Sequence, residues 1–130
     1  MKRLALALIL ALLLSGAARG QSNPCSSSNN HCVVLGWAAS PTSGVGYNIF
    51  RGTAAGQEST TSLNSTPVAV NCSGAACTWT DNNVSAGQTY YYVLTAVAGG
   101  VTGGVQSAKS NEASAGIPVF PPTNVVVATN

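Results

Sequence analysis

Beyond residue 20, the apolar residues do not keep the three-to-four spacing of a helix face; they alternate with polar or small ones in short runs, cut by clusters of Gly, Ser, Asn and Pro. A period of two fits strands with one buried face, because successive side chains of an extended chain point to opposite sides. The pattern predicts an all-β chain. "HCVVLGWAAS" sets Val33, Leu35 and Trp37 on one face, "VGYNIFRG" does the same for Tyr47 and Ile49, and "PTSG" makes the turn between them. A weakly patterned span, "TAAGQESTTSLNSTPVAV", offers weak edge strands. "CTWTD" then gives a short strand with Trp79 inward, "QTYYYVLTAVA" a long one, "GGVTGG" a loop, and "SNEASAGI" the last strand. About seven short strands at this spacing predict a β-sandwich.

The beginning of the chain sets its compartment. Lys2 and Arg3 precede an unbroken apolar run over residues 4–14, and small residues follow up to Gly20. That is the build of a secretory signal peptide over residues 1–20, with Ala18 and Gly20 as the small pair before the cut and cuts after Ala17 or Ala18 as alternatives. The run is shorter than the about 20 residues that span a hydrocarbon core, so no membrane association is expected after cleavage. The first cysteine, Cys25, lies well past the small residues, which does not support a lipid-anchored N-terminus. Cleavage removes Lys2, Arg3 and Arg19 and leaves Arg51 and Lys109 against Glu58, Asp81 and Glu112. The formal charge of +2 then becomes about −1. So few cations argue against nucleic acid as a partner, since phosphates are bound through many of them. The remaining about 110 residues suit one domain. Four cysteines in an exported chain favour disulfides, with three connectivities open. Six residues separate Cys25 from Cys32 and four separate Cys72 from Cys77, which is not the spacing of a zinc site.

Four of these stretches, in order, carry a resemblance. "HCVVLGW" is similar to the second strand of a fibronectin type III domain with its core Trp, and "GYNIFRG" to the third. "VSAGQTYYYVLTAV" resembles the L-x-P-G-x-x-Y-x-V-x-V run that enters the sixth, and "SNEASAGIP" the last strand and exit. The likeness is to the form common in exported bacterial proteins and covers residues 32–118. It implies a seven-stranded immunoglobulin-like sandwich with a truncated first strand, because "QSNPCSSSNNH", within residues 21–31, has no apolar alternation. In that alignment Tyr90 is the corner tyrosine, buried with its hydroxyl on upstream backbone. Trp37, Tyr47 and Trp79 complete the expected structural core. The second and fifth strands pair antiparallel in this fold, which separates Cys32 from Cys77 and leaves the local bridges Cys25–Cys32 and Cys72–Cys77. Residues 119–130, "VFPPTNVVVATN", read as a linker and a strand over 123–129 like the start of a next domain.

Candidate sites are few. Alternation sends Phe50 outward beside Tyr91, with Val93, Thr95 and Val97 also facing solvent, so Phe50 and Tyr91 form the candidate binding surface. His31 reads as a solvated loop residue, Asp81 as the cap of the turn after Trp79, and "GGVTGG" as a hairpin loop rather than a phosphate cradle. No general base has an orienting partner and no serine sits in a nucleophile elbow. Asn64, Asn71 and Asn83 open glycosylation patterns, discounted for a bacterial chain. The expectation is a secreted protein, extracellular, periplasmic or on the cell surface. It is a non-catalytic binding or spacer module without cofactor or metal, contacting an extracellular protein or polysaccharide. The alternative is a structural subunit that associates weakly with itself through the C-terminal strand.

Overall fold

The computed structural model describes Cys25 and residues 31–68, 72–73, 75–123 and 125–128. Residues 1–20, expected to be a leader, most of the 21–31 segment, Asn71 and the end of the C-terminal tail lie outside these residues. The strands are β1 (Val33–Ala38), β2 (Val45–Gly52), β3 (Cys72–Ser73), β4 (Ala76–Asp81), β5 (Thr89–Ala98) and β6 (Ala113–Gly116). They form two antiparallel three-stranded sheets, β1-β4-β3 and β2-β5-β6, packed on each other as a β-sandwich. The described residues thus hold six strands where the sequence suggests seven.

Alternation decides what lies between the sheets. β1 buries Val33 and Leu35 and packs Trp37 beside them, while Val34, Gly36 and Ala38 stay exposed. Ile49 from β2 and Tyr90 and Tyr92 from β5 meet them, with Val84 from the β4–β5 connection and Ile117 from the exit of β6. Burying each such aliphatic or aromatic side chain contributes about 1.5–3 kcal/mol. Trp79 is partly buried against the same cluster, and Tyr47 is buried with Trp37 edge-on to its ring at 5.3 Å. The Tyr90 hydroxyl accepts the Ser85 N–H at 3.1 Å, the upstream backbone contact expected of it. Both disulfides are the local ones, Cys25–Cys32 and Cys72–Cys77, the second joining directly opposed residues of the β3–β4 hairpin.

The outer face of the β2-β5-β6 sheet differs from the sequence reading. Phe50, Val93, Thr95 and Val97 are buried there rather than in solvent. The cause is cover from both sides of the sheet. Along the free edge of β2, Ser59 N–H donates to Arg51 O, Leu63 N–H to Ile49 O, and Val68 exchanges both backbone bonds with Tyr47. Where that chain bulges away, the Asn64 amide replaces backbone: Oδ1 accepts the Ile49 N–H at 2.8 Å and Nδ2 donates to Tyr47 O at 2.9 Å. Ahead of β6, the Ser107 and Ser110 hydroxyls do the same for β5, accepting from Ala96 N–H and Leu94 N–H. The two flanks then meet. Gly56 N–H donates to the Glu112 carboxylate at 2.6 Å, and Lys109 pairs with Glu58 at 3.6 Å. Gly52 permits the fold-back, since a Cβ there would lie 2.5 Å from the Gln57 carbonyl oxygen.

Candidate functional site

All the charged side chains after residue 20, Arg51, Glu58, Asp81, Lys109 and Glu112, belong to two clusters. The first joins the sheets. Arg51 continues the inward parity of Tyr47 and Ile49 at the end of β2, and Asp81 continues that of Cys77 and Trp79 at the end of β4. Alternation therefore drives an opposite pair into the sandwich from facing sheets. Arg51 Nη1 donates to Asp81 Oδ2 at 2.7 Å and to Asn83 O at 2.7 Å, and its guanidinium lies 4.8 Å over the Tyr90 ring. The Tyr92 hydroxyl donates to Asp81 Oδ2 at 3.0 Å, and Asn83 N–H donates to Oδ1 at 2.9 Å. That last bond is the turn cap read from the sequence. The link to Arg51 and Tyr92 is not among the sequence expectations, although each of residues 51, 81 and 92 lies on the inward face of its own strand. Burial, and then the neighbouring Asp81 charge, push the Tyr92 hydroxyl far above the ordinary tyrosine range.

The second cluster lies over the outer face. A side-chain hydrogen bond with Glu112 holds the Glu58 carboxyl below its usual range, against the opposing effect of burial and with help from Lys109. The Glu58 side chain is 4% exposed and Lys109 is 56% exposed, so this pair faces solvent on one side only.

Phe50 and Tyr91 are diagonal neighbours on one face, because Phe50 pairs with Val93 and Gly52 with Tyr91. Phe50, however, is 7% exposed and Tyr91 half-buried, so they do not make the open aromatic pair expected of them. Those positions belong to a second apolar layer under the covering flanks. His31 is likewise corrected: it is buried and stacks on Phe120, with centroids 4.7 Å apart and planes 15° apart. It shares the inward parity of Val33 and Leu35, which extends the buried face of β1 past the strand's end.

This stack puts the entrance of β1 and the exit of β6 at one pole, with Cys25 tied there through Cys32. At the other pole lie the β1–β2 turn, the β3–β4 turn and the tip of the β5–β6 loop over residues 99–106, none with a charged residue, and with Val101 and Val105 exposed. Between β1 and the segment before β6 is a slot of about 380 Å³ lined by Leu35, Trp37, Tyr47, Leu94 and Ala96, together with Ser110. Beyond the Phe120 stack the tail forms no strand over residues 123 and 125–128, because an extended segment without a neighbour closes no ladder. Among the described residues there is no group of three or more His, Cys, Asp or Glu able to hold a metal ion, and no helix long and apolar enough to cross a membrane. No protein-family model, curated protein or solved structure matches the chain.

Proposed function

We propose that the chain is an exported, non-catalytic binding module of the fibronectin type III kind, whose partner is an extracellular protein or a polysaccharide. The observation that carries this reading is the use of charge: Arg51, Asp81, Glu58, Lys109 and Glu112 are all spent on holding the two sheets and their flanks together. A reaction needs an acid, base or nucleophile poised in a cleft, and such groups are here committed to the scaffold. The family reading draws support from the pairing of β1 with β4, of β2 with β5 and of β5 with β6, and from the Tyr90 hydroxyl on Ser85.

Within that reading, the stack of Phe120 on His31 occupies one pole, together with the entrance of β1 and the exit of β6. The opposite pole is then the exposed tip, uncharged and rich in Gly, Ser and Val, suited to a neutral partner. Binding of the purified chain to insoluble polysaccharides and to extracellular proteins of its host tests this. Val101→Asp with Val105→Asp should abolish retention while leaving the melting temperature unchanged. Retention that survives this change would move the contact elsewhere.

A further inference from the structure

We infer that the free edge of β1 and the slot beside it form an acceptor site for residues 123–128 of a second copy of this chain. The site begins with backbone that no described residue pairs. β1 is the outer strand of its sheet, and Ala39 N–H donates to Ala75 O, which sets the hydrogen-bonded pairs with β4 at Trp37, Leu35 and Val33. The amides and carbonyls of Val34, Gly36 and Ala38 therefore point away from β4, and these three residues are exposed. The usual protections of an open edge are missing, since Val33–Ala38 contains no charge and no proline.

Beside that edge, the slot exposes the flank of the core through Trp37, Tyr47, Leu94 and Ala96. The indole N–H of Trp37 is buried there without an acceptor. An inserted strand brings both things the site lacks, alternate apolar side chains for the slot and backbone carbonyls for donors.

The tail has the matching chemistry. Residues 123–128 read Thr-Asn-Val-Val-Val-Ala, uncharged, β-branched at four of six positions and as long as β1. Val125, Val126 and Val127 are 77%, 87% and 84% exposed. Their own domain does not take them up, although the stack of Phe120 on His31 roots the tail at the start of β1. A same-chain strand would run parallel to β1 and spend its first positions on Pro121 and Pro122, which have no N–H to donate. A tail from a second copy approaches without that restriction and pairs from Thr123 onward. This inference is independent of what the distal pole binds.

Sedimentation equilibrium of the full exported chain tests it. The wild-type mass should rise with concentration. Val125→Lys with Val127→Lys, which disables the donor, should weaken association by more than about tenfold, because a charge then has to enter the slot. Gly36→Pro should do the same from the acceptor side, since it removes an edge donor while the β1–β4 bonds remain. Melting temperatures near that of the wild type establish that both variants fold. An equimolar mixture of the two should regain association, each supplying what the other lacks. A wild-type chain that is monomeric throughout overturns the inference, as does association indifferent to both variants, or a mixture that fails to recover.

Discussion

At the scale of single residues, Asp81 concentrates more of the fold than any apolar side chain. One carboxylate accepts from Arg51 on the other sheet, from Tyr92 beneath it and from its own turn at Asn83. Removing one partner of a buried ion pair leaves the other uncompensated, so Asp81→Ala should cost about 3–5 kcal/mol in denaturant unfolding. Tyr92→Phe keeps the ion pair and loses one charge-assisted bond, a cost of about 1.5–3 kcal/mol. The same tyrosine predicts alkaline sensitivity. Its folded-state pKa is raised, so its contribution is fully present below the unfolded tyrosine value of about 10 and falls by about 1.4 kcal/mol per pH unit above it. Unfolding followed by near-ultraviolet circular dichroism against pH should show this loss in the wild type and a shallower one in Tyr92→Phe. Equal alkaline limbs would place the base-labile group elsewhere.

At the scale of elements, the strands themselves were legible and the covering of one sheet was not. β1, β2, β4 and β5 stand where period-two alternation sets them, because each turns large apolar residues inward, whereas β6 turns in only the small Ala115. The sequence also carries the local disulfides and the Tyr90 contact. Alternation, however, reports only which residues share a face, and the second sheet buries both of its faces. Its cover is made by segments with no pattern of their own, held by Asn64, Ser107, Ser110 and the Glu58–Lys109–Glu112 group, where side chains complete a ladder that strand periodicity cannot reveal. Two outcomes follow from that cover. Phe50→Ala should cost about 3–5 kcal/mol as a core truncation, where an exposed aromatic would cost little. Acid should loosen the same layer: the Glu58 pKa is depressed in the fold, so its contribution is present above the unfolded carboxylate value and is lost as pH falls through the folded one. Hydrogen exchange of the Ser59 and Leu63 amides, both bonded to the edge of β2, between pH 6 and pH 3 would read it, with protection of Ser59, next to Glu58, lost first.

At the scale of the molecule, the sandwich is closed at one pole by its own continuation. Ile117 is 7% exposed and exchanges backbone bonds around Gln88 and Gly87, Val119 lies against Gly87, and Phe120 stacks on His31. The exit of β6 is therefore part of the fold as far as Phe120, two residues past the Pro118 boundary that the sequence suggests. Beyond it the valines touch little and contribute little to the isolated domain. Truncation after Phe120 should change stability by no more than about 0.5 kcal/mol, the range of exposed positions without a special role. Phe120→Ala in the full chain should lose the stacking contribution of about 0.5–1.5 kcal/mol, and Ile117→Ala about 2–5 kcal/mol. Thermal unfolding of the three proteins at one low concentration separates the parts of the tail, because dilution suppresses any stabilisation by association. The expected order of melting temperatures is truncation first, then Phe120→Ala, then Ile117→Ala. A truncated chain that melted as low as Ile117→Ala would mean that residues 121–130 already form a strand of their own domain, and the edge of β1 would then be filled from within.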